Sequence, residues 1–331
     1  MKVSIALLLG AAIFAGACGR NSNATQQNTN QTKTTDVLGA FNADSAYSYI
    51  DHQVAFGPRV PGSEAHRQCR DWLIASLKRF GADTVYVQDA QVKAYNGDKL
   101  PITNIIASYN SGASKRVLLA AHWDSRPWAD KAFDANDRTK PVPGANDGGS
   151  GVGVLLEIAR NLAARQPSVG VDIAFFDAED YGKYEGFEDS SDTWCLGSQY
   201  WAKNMIPYSA YNKPVYGILL DMVGGRGARF HYELFSQEYA RLATVKVWGE
   251  AEKLGYSDYF IREKGAPVTD DHVVLTRAGI PTTNIIESIN SETQSFNPTW
   301  HTLDDTMANI DRASLKAVGE TVLNVVYKER P

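Results

Sequence analysis

Three short apolar runs end in acid or histidine, and this pattern restricts the fold more than any other feature of the chain. Residues 117–121 (VLLAA) lead into His122-Trp123-Asp124. Residues 173–176 (IAFF) lead into Asp177-Ala178-Glu179-Asp180, and residues 217–220 (GILL) lead into Asp221. A run that is apolar on both faces suits a central strand buried in a sheet. In open α/β sheets, ligands bind outside the carboxyl ends of the strands. One polar strand end is ordinary loop chemistry; three at the same end build a site from residues far apart in sequence.

Periodicity and punctuation supply the other elements. Residues 42–56 have helical spacing (Tyr47, Ile50, Val54) and stop at Gly57-Pro58, while Ser63 can cap a second helix that stops at Gly81. Residues 84–92 and 104–109 read as strands. Helix and strand then alternate through 151–164, 171–176, 197–205 and 215–220, with a further strand at 282–286 and a last helix at 312–327. The expected fold is a single α/β domain whose central sheet is mixed, mostly parallel and covered by helices on both faces.

The first residues concern location. Lys2 precedes an apolar stretch, 3–17, shorter than the ~20 residues of a membrane-spanning helix, so residues 1–17 are expected to be a signal peptide. Cys18 follows Ala15, Gly16 and Ala17, which resembles a bacterial lipoprotein cleavage site; plain secretion is the alternative. Residues 18–36, lipid-anchored or free, contain too little apolar surface to offset the entropy of ordering and read as a disordered tether. Residues 37–331 form the catalytic domain. The expectation is an exported, periplasmic protein held to a membrane only through Cys18. The net charge of −5 and the scattered basic residues set nucleic acid aside. Cys69 and Cys195 are too few for a disulfide scaffold, and whether they pair stays open.

Between the strands lies Pro-Gly-Ala-Asn-Asp147-Gly-Gly-Ser-Gly, leading into a helix. No Lys-Ser/Thr follows its glycines, and an acid stands where a phosphate would sit, so the loop suits a cation better than an anion. Ser150 resembles a nucleophile elbow only loosely, since a metal-site acid precedes it in place of a strand. Near the C-terminus, Asn297-Pro-Thr-Trp300-His301-Thr-Leu-Asp304-Asp305 adds a histidine. Asp147, Asp180 and His301 together offer the O/N donors of a catalytic zinc with one position left for water or substrate.

The ordered set His122-Trp-Asp124, Gly-Ala-Asn-Asp147, Phe-Phe-Asp-Ala-Glu179-Asp180, Leu-Leu-Asp221, Asp270-Asp271-His272 and Trp300-His301-Thr resembles the motifs of the zinc aminopeptidase superfamily. The likeness runs from about Asn42 to Pro331, and within the superfamily it is greatest to the glutaminyl cyclases. The resemblance implies that Asp147, Asp180 and His301 hold one Zn2+ per chain. It implies Glu179 as general acid/base, Asp221 and Asp270 as acids networked beside it, and Trp300 as an aromatic wall. The implied reaction closes the N-terminal glutamine of a peptide or protein into pyroglutamate and releases ammonia. Two positions depart from the animal enzymes: Asp180 replaces Glu, and Asn284 stands where those enzymes carry histidine.

The rival within the same fold is a dinuclear zinc aminopeptidase. Asp147 could bridge two ions, with His122 and Asp221 as second-metal ligands and Asp124 orienting His122. Ligand types alone do not separate one ion from two. A third reading, an inactive tethered binding protein, predicts eroded ligands, and the sequence shows none. Trp128 and Trp194 read equally as pocket or core, and Trp123 as core.

Overall fold

The computed structural model describes residues 40–184, 190–209 and 212–331. The expected signal peptide, Cys18 and the tether lie outside the described residues. Two helices open the domain, α1 (Ala43–Ala55) and α2 (Glu64–Arg79). Asn42 Oδ1 accepts the Ser45 N–H at 3.0 Å and Ser63 Oγ accepts the His66 N–H at 3.1 Å, so both helices begin on a side-chain cap. The chain continues through β1 (Thr84–Lys93), β2 (Lys99–Tyr109), β3 (Arg116–His122), α3 (Gly149–Ala164), β4 (Gly170–Phe176), α4 (Leu196–Lys203) and β5 (Gly217–Leu220). There follow β6 (Phe230–Tyr232), α5 (Leu234–Tyr239), α6 (Arg241–Leu254), β7 (Phe260–Lys264), α7 (Asp271–Arg277), β8 (Thr282–Ile285) and α8 (Arg312–Lys328).

Six strands form one sheet in the order β1-β2-β4-β3-β5-β8, and β6 and β7 form a separate pair. β1 and β2 run antiparallel to their neighbours, whereas β4, β3, β5 and β8 are mutually parallel. The expected fold class is therefore observed. Every residue of β3 and β4 is buried. Alternation divides them between two cores: Val117, Leu119, Ile173 and Phe175 pack with Ile50 of α1, Val152 of α3 and Leu323 of α8. Leu118, Ala120 and Phe176 pack with Trp201 of α4 and Leu275 of α7 on the opposite face.

The sequence missed some elements for identifiable reasons. β2 starts at Lys99 and contains Pro101, where the strand is paired with β1 alone; β4 joins only from Ile105. A residue without an N–H is tolerated at such a half-edge. α5, α7 and β6 are too short to display a period. In α6 the inward Val247 and Trp248 are accompanied by exposed Leu242 and Val245, which blurs the apolar stripe. Cys69 and Cys195 are both buried and free.

The register of β3 on β4 pairs His122 with Phe176, so the two strands end level, and α3 is pressed onto the same rim. A Cβ on Gly151 would lie 2.1 Å from the Leu220 carbonyl oxygen and 3.0 Å from Ala121 Cβ. We expect Gly151→Ala to lower the unfolding free energy by about 1–3 kcal/mol in urea melts, because the added methyl must displace backbone. An unchanged midpoint would mean that α3 can move off the sheet freely.

Candidate active site and metal centre

The level strand ends bring the acids of the motifs together. His122 Nε2 at the end of β3 lies 3.0 Å from Asp147 Oδ1 and 3.2 Å from Asp221 Oδ1. His301 Nε2, from the segment between β8 and α8, lies 3.1 Å from Asp180 Oδ1 and 3.7 Å from Asp147 Oδ2. Asp147 thus offers one carboxylate oxygen to each of two adjoining clusters. All five side chains are buried.

The backbone that carries them is strained. Among the described residues six non-glycine positions have positive φ, and four of them, Ala178, Cys195, Met222 and His301, adjoin or belong to this site. Such conformations persist where surrounding structure over-determines them. At Ala178 the left-handed turn sends the next two side chains apart: Asp180 meets His301, while Glu179 Oε1 accepts from Cys195 Sγ at 3.2 Å. Gly148, at φ +84°, enters α3 with no side-chain cap, and a Cβ there would lie 2.2 Å from the Asp124 carbonyl oxygen. Asp147 is therefore a member of the acid cluster and not the cap of α3.

A surrounding layer fixes these groups. Asp124 accepts the main-chain N–H groups of Glu179 (3.1 Å) and Asp180 (3.2 Å) and reaches His122 Nδ1 at 3.3 Å, the orienting contact anticipated for it. Asp305 accepts the N–H groups of Asn146 (2.8 Å) and Asp147 (3.0 Å). Arg126 donates to the Asp180 carbonyl at 3.0 Å and carboxylate at 3.2 Å. It also grips Asp130 with two 2.8 Å bonds, and Asp130 stands 3.1 Å from His301 Nδ1. Sequence reasoning assigned no role to Asp305, Arg126, Asp130 or Cys195. Only Asp305 carried a signal, standing four residues after His301.

The electrostatics separate the acids. Burial, and then the Asp270 charge, push the Glu179 carboxyl well above the usual range. Burial and Asp221 raise Asp270 to about 7. Asn284 Nδ2 donates to Asp270 Oδ2 at 2.6 Å, so the residue standing in the histidine position still contacts the acid network. His272 turns to Glu233, with Nε2 2.9 Å from Oε2. Glu233 is raised by burial, yet the bonds from His272 and Ser236 outweigh this and hold it down at about 2.

A cavity of about 310 Å³ opens over the acids, lined by Glu179, Asp180, Asp270, Met222, Phe296 and Trp300, among others. Trp300 stacks on His301 at 3.8 Å. Trp194 also lines the cavity and lies parallel to the His301 ring at 6.1 Å. Trp123 is core, stacked on His66 at 4.3 Å, and Trp128 packs against Tyr181 at 5.2 Å outside the cavity.

The donors suit a metal. The ligand atoms of His122, Asp147 and Asp221 lie within 4.8 Å of one another, and so do those of Asp147, Asp180 and His301. Among the described residues no hydrogen-bond partner reaches the buried Asp180 Oδ2, an arrangement that costs about 1–3 kcal/mol unless a cation satisfies it. Carboxylate and imidazole donors fit zinc.

Fold and site together define a zinc-peptidase-like enzyme. The model of peptidase family M28 matches residues 104–326, and the chain belongs to that family. Within it, the chain is similar to the glutaminyl cyclase of Bacteroides thetaiotaomicron, solved with N-acetylhistamine bound. The two share 49% identity with a TM-score of 0.84, over 88% of this chain and 99% of that one. A leucine aminopeptidase precursor from Bacteroides thetaiotaomicron VPI-5482 is similar at 48% identity and TM-score 0.83, over 88% of this chain and 98% of that one. Glutaminyl-peptide cyclotransferase of Bos taurus is 25% identical over 287 residues, 78% of this chain and 74% of that one.

The grip of Asp305 on the Asp147 turn should show in metal binding. Asp305→Ala is expected to weaken zinc affinity roughly 10–100-fold, measured by competition with a chromogenic chelator. Unaltered affinity would show that Gly148 and the packing of α3 suffice to place Asp147.

Proposed function

We propose that this chain is a glutaminyl-peptide cyclotransferase, converting N-terminal glutamine of peptides and proteins to pyroglutamate with release of ammonia. The observation that carries the reading is the placement of Glu179. Its carboxyl is held apart from the Asp147-Asp180-His301 cluster, faces a small cavity walled by Trp300, and is kept from ionising readily by burial and Asp270. A carboxyl held above its usual range in this way is suited to both taking and giving a proton.

Asp147, Asp180 and His301 would hold one zinc ion, which when bound supplies Lewis-acid polarisation of the substrate γ-carbonyl. The chain's own residues do the rest. Trp300, Phe296 and Met222 enclose the glutamine side chain and exclude water. The α-amine nitrogen attacks Cδ, Glu179 takes a proton from that nitrogen and delivers one to the departing amide nitrogen, the C–N bond to it breaks, and ammonia leaves. Asp270, buried beside Glu179, disfavours its ionisation, and Asp221 acts in turn on Asp270.

One observation favours a second reading, a dinuclear aminopeptidase: His122 reaches both Asp147 and Asp221, and the three ligand atoms lie within 4.8 Å of one another. A paired assay separates the two. The cyclase reading expects ammonia from a glutaminyl peptide, about one zinc per chain and no cleavage of a leucine anilide; two ions with anilide cleavage would establish the peptidase. Glu179→Gln should lower turnover by roughly 10²–10⁴-fold while zinc content stays unchanged. Near-wild-type turnover would remove Glu179 from the reaction.

We propose further, on the sequence alone, that residues 1–17 direct export to the periplasm and that Cys18 carries a lipid behind which residues 18–36 act as a tether. Cys18→Ser should move the protein from the membrane to the soluble fraction; continued membrane association would overturn the anchor.

A further inference from the structure

Cys195 belongs to neither cluster around Asp147; its Sγ lies with the carboxylates of Glu179 and Asp270 within 4.8 Å of one another, and it touches the proposed acid/base. It precedes α4 in the left-handed conformation, φ 58° and ψ 36°, where glycine would sit without strain. Its main-chain N–H donates to the Glu179 carbonyl at 2.9 Å, and that of Leu196 donates to the Ala178 carbonyl at 3.0 Å. Gly197 is so close to the same turn that a Cβ would lie 2.1 Å from the Asp177 carbonyl oxygen. Residues 195–197 are thereby latched onto the strained turn from which Glu179 projects.

The side chain completes the latch. Sγ donates to Glu179 Oε1 at 3.2 Å, and among the described residues no other donor reaches that carboxyl. A strained non-glycine residue next to a reactive group is kept where its side chain is needed. We infer that Cys195 is a positioning residue, its thiol holding the Glu179 carboxyl in the orientation from which it exchanges protons with the substrate. This rests on the reading of Glu179 as general acid/base.

Thiol chemistry suits the task. Burial, and then the charges of Glu179, Asp271 and Asp270, push the Cys195 thiol well above its usual range, so it remains S–H, a donor and not a nucleophile. A thiol is also a weak donor. It orients the carboxyl through a single hydrogen bond, Sγ to Oε1.

The test compares Cys195→Ala, Cys195→Gly and Cys195→Ser with wild type in steady-state turnover, with zinc content and melting temperature on the same samples. The Ala and Gly variants should lose about tenfold in kcat, with KM within about twofold and zinc unchanged, as expected when one hydrogen bond to the reacting group is removed. The Ser variant restores a donor and should stay within about threefold of wild-type kcat. The Gly variant, relieved of left-handed strain, should melt no lower than the Ala variant while remaining slow. A merely structural role would instead give losses that follow melting temperature or zinc content, and would let Gly recover activity. Wild-type kcat in the Ala variant, or a Ser variant as slow as Ala, would overturn the inference. Wild-type protein that cleaves a leucine anilide and releases no ammonia would sink the cyclase reading instead; the same kcat comparison made on the anilide then decides for or against Cys195.

Discussion

The site depends on one carboxylate placed between two histidines. Asp147 stands 3.0 Å from His122 and 3.7 Å from His301, and neither cluster is complete without it. Its position is held by main-chain forces. Gly148 takes a conformation that any side chain would strain, Asp305 accepts the N–H groups of Asn146 and of Asp147 itself, and Gly151 lets α3 close on the strand ends. A ligand fixed through its backbone loses little conformational freedom when it binds, which is how a buried metal site is preorganised.

So many acids in one buried place require compensation. Arg126, wholly enclosed, bonds both Asp180 and Asp130, and its guanidinium lies 4.9 Å from the Trp194 ring centroid. Elsewhere the charge is deferred by protonation: Asp270 is raised to about 7, and Glu179 is raised as well. The cation that these residues suit would relieve the Asp147-Asp180-His301 cluster directly and leave Glu179 to exchange protons.

The legible part of the fold was the part governed by local pattern. The VLLAA, IAFF and GILL runs predicted the parallel strands, their common carboxyl end and the acids gathered there, because each of these runs stays apolar up to the point where its strand stops. Ser63 signalled a helix start in the same local manner. Residues defined by long-range contact were not legible: Arg126 matters because it meets Asp180 across the sheet, and Asp305 because a loop near the C-terminus returns to α3. His272 stood within a quoted motif, yet its partner Glu233 lies 39 positions earlier in the chain. Cys195 resembled a spare cysteine until its thiol was placed against Glu179.

The adjacency of Glu179 and Asp180 explains how one fold can serve either cyclisation or hydrolysis. A single left-handed residue, Ala178, turns the neighbouring side chains apart, so the proposed ligand and the proposed acid/base are separated by one peptide unit and not by the packing of separate elements. Hydrolysis must in addition hold a water molecule. Cyclisation carries its own nucleophile, the substrate α-amine, and gains from a cavity that admits one small side chain and little else. Trp300, Phe296 and Met222 line the cavity over Glu179, and Trp300, stacked on His301, ties its wall to the ligand cluster. The chemistry then follows from what the wall admits as much as from how many ions the rim holds.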